Sequence, residues 1–356
     1  MSDVNFGSSF STYEKQDKVL VALSGGVDSS MCVKILKDQG FDVTALVIRF
    51  SPAHDKAVEA ATIAAKELSI PLHVADCEEV FKSEIITPFC EQYCRGITPS
   101  PCVKCNELVK FTTLANAATA LGIHLIASGH YARISDLNSK YYVSTAESKA
   151  RDQSYMLYRL PQEILARLLL PIGEFEKSDI RDMAQEAGLS SKDAPDSQEI
   201  CFIPDGNYAK YIKDLGFTSM QGSFIGPRGE ALGAHKGVEH YTVGQRRGLD
   251  IAYGEPVFVK EIKQDGNILL ALGGDDLSNE ISIQDLAFTR AVHMGDNVTV
   301  KIRSRATAVP CTIIKSDENS ISISFTSPVR AAAPGQSAVF YDGDLVLGGG
   351  IISKIL

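Results

Sequence analysis

The sequence predicts an α/β protein with an N-terminal parallel sheet and helices, a small central domain and a C-terminal β-barrel. Short apolar runs alternate with helical patterns through the first part of the chain, and such alternation implies right-handed crossovers between parallel strands. From about residue 206 the helical periodicity gives way to short β-like stretches separated by glycine-rich turns. Such a series of short strands is typical of a closed or nearly closed barrel.

The first predicted strand, KVLVAL at 18–23, breaks into a glycine turn, and apolar residues then recur at helical spacing up to Gly40. The same alternation continues along the chain. Further strands are expected at 42–48, 70–75 and 123–128, and helices at 57–68, 79–94 and 106–121. Ligands of such sheets bind beyond the carboxyl ends of the strands, so we expect the site residues there.

The β-rich part supplies the remaining domains. Its candidate strands are 257–262, 268–272, 298–305, 311–315, 320–325 and 338–341. We therefore expect a flexible tail over residues 1–17, a catalytic α/β domain over 18–205, a central domain over 206–275 and a barrel over 276–356.

Composition excludes several classes of protein. Of the 356 residues, 44% are hydrophobic and 22% charged, values of a globular protein rather than a fibrous or disordered one. Apolar runs such as LVI at 46–48 fall far short of the roughly 20 residues that a membrane-spanning helix needs. The polar first residues do not resemble a signal peptide, so we expect a cytoplasmic protein with no membrane partner, whose eight cysteines are reduced.

The segment Ser24-Gly25-Gly26-Val27-Asp28-Ser29-Ser30 joins the first strand to the first helix. Its glycines let the backbone approach a ligand, and the helix N-terminus offers free N–H groups, which together make a cradle for an anion. The segment lacks the GK[ST] ending of a P-loop, so transfer of a terminal phosphate is not expected. The alternative is an ordinary glycine-rich turn capped by Asp28 and Ser29.

Cys102 and Cys105 form a CxxC motif in TPSPCVKCN at 98–106. Two prolines are expected to hold the preceding loop extended, and a helix starting at Asn106 would lower the pKa of a neighbouring thiol. Zinc binding, an iron–sulfur centre, redox chemistry and coincidence all fit one CxxC. Cys201 lies far along the chain, after an acidic stretch.

The glycine segment is similar to the SGGxDS motif of PP-loop ATP pyrophosphatases, which holds the pyrophosphate of ATP while the α-phosphate is attacked. The whole pattern resembles the bacterial tRNA 2-thiouridylase family (MnmA/TrmU type). The matching segments follow one another at 22–30, 98–111, 127–133, 151–160, 196–204, 235–249 and 330–350. The resemblance implies a PP-loop, adenine nucleotide alpha-hydrolase-like N-terminal domain and an enzyme that makes 2-thiouridine at the wobble position of tRNA.

The resemblance also implies which residues bind each substrate. ATP, with Mg²⁺, would be bound by Ala22, Leu23, Ser24, Gly25, Gly26, Val27, Asp28, Ser29, Ile48 and Gly129. The tRNA would be bound by Ser100, Pro101, Cys102, His130, Arg151, Asp152, Gln153, Arg303, Ser304 and Gln336, with the central domain also contacting RNA. Ile48 would contact adenine through its backbone.

By the same resemblance, the uracil O2 attacks the α-phosphate of ATP, releasing pyrophosphate and later AMP. Cys201 would carry a persulfide and Cys105 would release its sulfur, leaving a Cys105–Cys201 disulfide, since a persulfide yields its outer sulfur by exchange with a second thiolate. The sulfur donor would be a cysteine desulfurase or a sulfur relay protein. No metal is expected at the cysteines on this route.

One residue departs from the family pattern: many relatives have an acidic residue, thought to act as a general acid or base, where this chain has Cys102. The three thiols of Cys102, Cys105 and Cys201 could instead hold a four-iron cluster with one iron open to hydrosulfide, because thiolates are the preferred ligands of such clusters. Both routes stay open at the level of sequence.

The net charge of −9 and pI of about 5.4 argue at first against a nucleic-acid partner, because phosphate contacts need Lys and Arg. However, residues 1–205 carry −8 of this charge, whereas residues 206–263 sum to +2 and residues 290–330 to +3. Arg246-Arg247 and the Lys301, Arg303 and Arg305 series, predicted to lie along one strand, are the best phosphate-binding candidates, with a solvated surface as the alternative. We expect modest tRNA affinity that is sensitive to salt.

Two other functions compete with this one. A different PP-loop adenylating enzyme, such as an amidotransferase-linked synthetase or another tRNA thiolase, would not need the CxxC with a distant cysteine or the HYTVGQRRGL segment at 240–249. A nonenzymatic RNA-binding or metal-storage protein would not need the intact glycine segment. A tRNA-dependent AMP release assay would separate the enzyme from the nonenzymatic protein.

Overall fold

The computed structural model describes residues 18–193, 200–275 and 277–356. The tail predicted over residues 1–17 lies outside the described residues, as does most of the acidic stretch before Cys201. The described chain divides into two compact units. The first comprises the described parts of Met1–Phe81, Cys105–Phe202 and Asp344–Val346, and the second comprises Lys82–Lys104, the described parts of Ile203–Gly343, and Leu347–Leu356.

The first unit contains a five-stranded parallel sheet with the strand order β3-β2-β1-β4-β7. The strands of this unit are β1 (Lys18–Ala22), β2 (Asp42–Arg49), β3 (Leu72–Asp76), β4 (Leu125–Ser128), β5 (Ala132–Leu137), β6 (Lys140–Thr145) and β7 (Leu168–Leu169). The central strand β1 is buried from Val19 to Val21. The predicted parallel α/β sheet is confirmed.

The α-helices of the described chain are α1 (Val27–Asp38), α2 (Asp55–Glu67), α3 (Glu78–Phe81), α4 (Thr87–Cys94), α5 (Pro101–Cys105), α6 (Phe111–Ala120), α7 (Gln162–Leu165), α8 (Lys177–Glu186) and α9 (Tyr208–Asp214). Helix α1 buries Met31, Cys32 and Leu36 against the sheet of the first unit, as its helical spacing predicts. None of the helices in the described residues is both long and apolar enough to cross a membrane.

The helices around the CxxC motif differ from the prediction. The helix expected at 79–94 contains a π-helical segment at Lys82–Ile86. The helix expected to start at Asn106 begins at Pro101, and a π-helical segment follows it at Asn106–Lys110. The expected helix start at Asn106 is therefore wrong, and Cys102 and Cys105 lie within helix α5. Proline has no N–H to lose in a first helical turn, so Pro101 can start the helix.

A β-hairpin formed by β5 and β6 was not predicted. Its two turn residues, Asn138 and Ser139, both have positive φ angles, of 55° and 62°. Two left-handed residues match the twist of the strands that they join, as in a type I′ turn. Because neither residue is glycine, the usual sequence signal of such a turn is missing.

The second unit contains the remaining strands: β8 (Ser223–Ile225), β9 (Ala231–Ala234), β10 (Val257–Ile262), β11 (Ile268–Leu272), β12 (Leu277–Phe288), β13 (Asn297–Lys301), β14 (Val309–Ser316), β15 (Ser320–Arg330), β16 (Ser337–Asp342) and β17 (Leu345–Ile355), whose first two residues belong to the first unit. Strands β8–β11 form a small sheet with the order β10-β11-β8-β9 around Phe224, Tyr241 and Val259.

Six antiparallel strands close into the predicted barrel, in the order β12-β15-β14-β13-β16-β17, with β17 pairing back onto β12. Its interior is lined by apolar side chains such as Ile283, Ile323 and Phe340. The strand predicted at 298–305 ends at Lys301, so the expectation that Arg303 and Arg305 extend along a strand is wrong. The chain turns there, and the Ala306 N–H donates to the Arg303 carbonyl.

Candidate active site

The glycine segment forms a compact loop between the end of β1 at Ala22 and the start of α1 at Val27. The Ser24 N–H donates to the Ser29 hydroxyl at 3.1 Å, and that hydroxyl donates to the Gly26 carbonyl at 3.0 Å. The serines thereby hold the loop around the first turn of α1, where backbone N–H groups have no partner within the helix. This arrangement suits an anionic ligand.

Two glycines make this loop possible. Gly25 has a φ of +78°, and a Cβ on it would lie 2.5 Å from the carbonyl carbon of Ala60. Gly129 follows β4, the neighbour of β1, and a Cβ on it would lie 2.9 Å from the Asp28 carbonyl oxygen and from the Ser29 nitrogen. No side chain fits at either position without displacing backbone. Gly129 therefore lies against the loop, as the prediction for nucleotide-binding residues requires.

Asp28 is held by two residues that sequence reasoning missed. Lys177 Nζ lies 2.7 Å from Asp28 Oδ1 and 2.8 Å from Oδ2, and the Tyr131 hydroxyl donates to Oδ1 at 2.8 Å. The Lys177 side chain is 10% exposed and that of Asp28 32% exposed. The alternative in which Asp28 merely caps the helix does not match these contacts, because α1 has Gly26 as its N-cap and no side-chain cap.

Tyr131 is itself fixed by Gln153, one of the residues predicted to contact tRNA. The Gln153 side-chain oxygen accepts from the Tyr131 N–H at 2.9 Å, and the Gln153 N–H donates to the Tyr131 carbonyl at 2.7 Å. Asp152 accepts from the Ala146 and Ser154 N–H groups at 3.1 and 3.2 Å. Asp152 and Gln153, two of the three residues in the predicted Arg151-Asp152-Gln153 series, thus order the backbone at Ala146 and at Tyr131.

Arg151, the third of these residues, is exposed. Ile48, the predicted adenine contact, is buried in β2, where it pairs with Ala75 of β3. The ligand contacts expected of Arg151 and Ile48 stay predictions.

His130 is buried next to Gly129. Its Nδ1 lies 2.8 Å from the Ser128 hydroxyl and its Nε2 3.4 Å from Lys110 Nζ. Burial, and then the positive charge of Lys110, lower the pKa of His130 well below its usual value, so its imidazole is neutral. A neutral imidazole here orders neighbouring polar groups and does not supply a cation for phosphate.

The segment after the CxxC motif is anchored in the first unit. Asn106 Nδ2 donates to the Met156 carbonyl at 3.0 Å, and Glu107 pairs with Arg159 at 2.6 Å. The Arg159 side chain is only 8% exposed, which makes this pair costly to break. The chain beyond Cys105 is therefore firmly placed.

The three candidate sulfur residues differ in exposure: Cys102 and Cys105 are half-buried, and Cys201 is exposed. Phe202, directly after Cys201, is buried with its ring centroid 5.5 Å from that of Phe81. Among residues 18–193, 200–275 and 277–356, no three or more His, Cys, Asp or Glu side chains are grouped so as to hold a metal ion.

Within the second unit, Gln336 contacts the segment before the CxxC motif. Its Nε2 donates to the carbonyls of Thr98 and Pro99 at 2.9 and 3.2 Å. The Ser100 carbonyl accepts from the Val103 N–H at the start of α5, next to Pro101. These contacts order the segment that contains the predicted base-contacting residues.

The basic candidates of the second unit fall into two groups. Arg303 donates from Nε to the Ala331 carbonyl at 3.1 Å and from Nη2 to the Val243 carbonyl at 2.8 Å, with Ser304 next to it in the turn. Arg246 and Arg247 are exposed, and Arg246 lines a groove of about 400 Å³ together with Leu249. Arg303 thus braces the backbone, whereas the Arg246-Arg247 pair is accessible.

Comparison with known proteins identifies the family. Three families match successive parts of the chain: "tRNA methyl transferase HUP domain" at residues 17–205, "tRNA methyl transferase PRC-barrel domain" at 209–271 and "Aminomethyltransferase beta-barrel domain" at 278–352. A tRNA-specific 2-thiouridylase MnmA of Lachnoclostridium phytofermentans is 40% identical over 355 residues, which cover 95% of this chain and 99% of that protein. The chain belongs to the tRNA-specific 2-thiouridylase family.

Other members of the 2-thiouridylase family match over similar lengths. MnmA proteins of Clostridioides difficile and Acetivibrio thermocellus are each 39% identical, and the matches cover 95% and 94% of this chain and 99% of either relative. Among solved structures, an NMN synthetase from Francisella tularensis aligns with a TM-score of 0.34 over 53% of this chain and 69% of its own, at 14% identity. The family expected from the sequence motifs is confirmed, and the roles of individual residues stay predictions.

Proposed function

We propose that this protein catalyses the ATP-dependent 2-thiolation of the wobble uridine of tRNA. The observation that carries the proposal is the 40% identity over 95% of the chain with a relative named tRNA-specific 2-thiouridylase. The loop geometry supports it, because the glycine segment and Gly129 form a close-fitting surface of backbone at the carboxyl ends of β1 and β4.

ATP enters as its magnesium complex, and the loop from Ser24 to Ser29 binds the pyrophosphate portion through backbone N–H groups. Fixed N–H donors stabilise charge that develops on the leaving group without having to reorganise. Lys177 supports this by holding Asp28 at the start of α1. The uracil O2 then attacks the α-phosphorus, the bond to pyrophosphate breaks, and O2 becomes part of an AMP leaving group.

Sulfur transfer uses two thiols. The outer sulfur of a Cys201 persulfide attacks the C2 of the adenylated uracil, and AMP leaves with the former O2. The Cys105 thiolate then attacks the Cys201 sulfur. The bond between that sulfur and the sulfur now attached to C2 breaks, and 2-thiouridine departs. Cys105 and Cys201 are oxidised to a disulfide as the transferred sulfur is reduced, and an external thiol must reduce that disulfide before the next turnover.

The exposure of Cys201 suits its loading by a donor protein, a cysteine desulfurase or a sulfur relay protein. A four-iron cluster held by Cys102, Cys105 and Cys201 is the alternative route for sulfur transfer, with one iron open to hydrosulfide. Anaerobic purification with iron and sulfide analysis distinguishes the two routes, since an active cluster enzyme would contain about four irons per chain.

The tRNA is bound through Arg246 and Arg247 of the second unit, which are exposed, with the target base near Ser100-Pro101-Cys102. A uracil in an anticodon loop can leave its stack at modest cost, and this brings O2 within reach of the α-phosphate of ATP and C2 within reach of the persulfide.

The proposal is tested by mass spectrometry of wobble nucleosides in tRNA incubated with ATP, a persulfide source and the protein. The wild type is expected to form 2-thiouridine only when ATP is present, and Cys105→Ser and Cys201→Ser are each expected to abolish it. Cys311→Ser, which changes a buried barrel cysteine, is the matched control and should retain activity. Full activity in either Cys105→Ser or Cys201→Ser would disprove the roles given to these thiols.

A further inference from the structure

Strand β12 of the barrel contains a bulge next to an unusual residue. Its pairing with β17 shifts register between Gln284 and Ala287, and Asp285, within this interruption, has a φ of +50°. Non-glycine residues rarely adopt the left-handed region, and Asp and Asn do so more readily than most. Bulges redirect side chains out of the regular alternation of a strand.

The bulge directs the Asp285 carboxylate toward the CxxC motif. Asp285 Oδ2 lies 3.0 Å from the Nζ of Lys104, the residue between Val103 and Cys105 in helix α5. The side chains are 35% and 48% exposed for Lys104 and Asp285, and an ion pair of this exposure contributes little to overall stability. The small stability contribution of this ion pair does not explain the uncommon backbone conformation of Asp285. A role in holding helix α5 in place does explain it.

A second barrel contact holds the other end of the same segment. The Thr98 N–H donates to the Pro334 carbonyl at 3.1 Å, and Gln336 Nε2 donates to the Thr98 carbonyl at 2.9 Å. Gly335, with a φ of +91°, lies so close that a Cβ on it would be 2.4 Å from Ile97 Cγ2. The barrel thus contacts the segment 97–104 at both its beginning and its end.

We infer that Asp285 is a positioning residue for sulfur transfer, which acts through Lys104 to hold the helical turn containing Cys102 and Cys105. The inference rests on the proposed function for its chemistry. The C-terminal barrel is then part of the machinery that orients the thiols, in addition to any contact with tRNA. Small errors in the orientation of the thiols would slow sulfur transfer steeply, whereas they would leave the earlier adenylation step intact.

The test compares Asp285→Asn with Asp342→Asn. Asparagine keeps the shape and the tolerance for a positive φ but loses the charge. Asp342 pairs with Arg290 on the same barrel at similar exposure, 57%, which makes Asp342→Asn the matched control. For each purified full-length protein, pyrophosphate release and 2-thiouridine formation are measured on the same tRNA sample with a persulfide source.

Asp285→Asn is expected to release pyrophosphate within about twofold of the wild-type rate but to form 2-thiouridine about fivefold more slowly, because misplaced thiols let water hydrolyse the adenylated uracil. The KM for tRNA should stay within about twofold of wild type. We call this loss of 2-thiouridine per pyrophosphate released uncoupling. Lys104→Met should cause the same uncoupling, and the double variant should be no worse than either single variant, since both substitutions remove the same ion pair. Lys104→Arg, which keeps the charge, should form as much 2-thiouridine per pyrophosphate as the wild type.

Hydrogen exchange gives a readout independent of catalysis. Amides of residues 98–105 should exchange faster in Asp285→Asn than in the wild type, and Asp342→Asn should leave them unchanged. Any of three results would overturn the inference: Asp285→Asn forms as much 2-thiouridine per pyrophosphate as the wild type, Asp342→Asn is uncoupled to the same extent as Asp285→Asn, or the effects of Asp285→Asn and Lys104→Met add in the double variant. If the wild type forms no 2-thiouridine, the proposed function fails, and the exchange comparison alone then decides whether Asp285 holds the turn.

Discussion

Lys177 Nζ lies 2.7 Å from Asp28 Oδ1, although the two residues are 149 positions apart in the sequence. Lys177 is the first residue of α8, and Asp28 lies in the first turn of α1, so the pair joins the starts of two helices. The Tyr131 hydroxyl completes the contact with Asp28. A loop without a lysine of its own thereby has an ammonium group at its edge, fixed by the fold.

Replacing Lys177 with Met should slow ATP-dependent pyrophosphate release by about 10²-fold, the effect of removing one preorganised electrostatic group. The variant leaves the carboxylate of Asp28 without its main counter-charge, so the start of α1 should also become less ordered. The measurement is steady-state pyrophosphate release with saturating tRNA.

Lys210→Met is the matched control for Lys177→Met. Lys210 pairs with Asp214 at 2.8 Å on α9, but its side chain is 65% exposed, so its loss should change the rate by less than twofold. Equal rates for Lys177→Met and the wild type would show that the Asp28 pair has no part in using ATP.

Gly129→Ala should lower the affinity for ATP. An Ala side chain would lie 2.9 Å from the Asp28 carbonyl and Ser29 nitrogen, both backbone atoms, so the phosphate loop would have to move. We expect at least a tenfold rise in the KM for ATP, with the fold retained, since displaced N–H donors bind phosphate poorly. Gly273→Ala is the control, because its nearest neighbour is 3.7 Å away on a Phe258 side chain, and it should bind ATP normally.

His130 predicts a pH dependence of stability. Its pKa is well below the usual value because of burial, whereas in the unfolded chain it takes up a proton near pH 6.5. The free energy of unfolding should therefore fall as the pH decreases below about 6.5, by up to about 1.4 kcal/mol per pH unit from this residue. The measurement is urea unfolding between pH 7.5 and 5.

His130→Gln should flatten this pH dependence, although His54, whose pKa burial also lowers, will leave part of it in place. His73 is exposed on β3, so His73→Gln should leave the pH dependence as it is in the wild type. A slope in His130→Gln as steep as that of the wild type would contradict a neutral, buried His130.

Arg246→Ala combined with Arg247→Ala should weaken tRNA binding and reduce its dependence on salt. Each lost phosphate contact lowers the slope of log K against log salt by about 1. A variant that removes two exposed lysines elsewhere, Lys140→Ala with Lys354→Ala, controls for net charge. An unchanged slope in the arginine variant, measured by filter binding across a salt series, would place these residues outside the tRNA interface.

The local parts of the site could be predicted from the sequence, because they depend on residues that are adjacent in the chain. The segment from Ser24 to Ser29 combines its glycines with a strand and a helix, and each of these signals is local. The barrel could be predicted from its run of short strands. The family could be predicted from the sequence motifs, and the comparison with known proteins confirmed it.

Lys177 could not be predicted, because its role depends on a contact between distant segments and nothing in its own neighbourhood marks it. Pro101 misled the prediction, since proline suits both an extended loop and the first turn of a helix. The guanidinium of Arg303, a phosphate-binding candidate by its charge, donates to the Val243 and Ala331 carbonyls, and its role toward tRNA stays a prediction. Charge in a sequence does not distinguish these two uses.

In the proposed reaction, the chain adenylates the uracil O2 and replaces that oxygen with sulfur. The most direct measurement uses tRNA that contains ¹⁸O at the O2 of the target uridine, with ATP and a persulfide source, followed by mass spectrometry of both AMP and the nucleosides. We expect the ¹⁸O label to move into AMP in proportion to the 2-thiouridine formed. Formation of 2-thiouridine together with unlabelled AMP would contradict it.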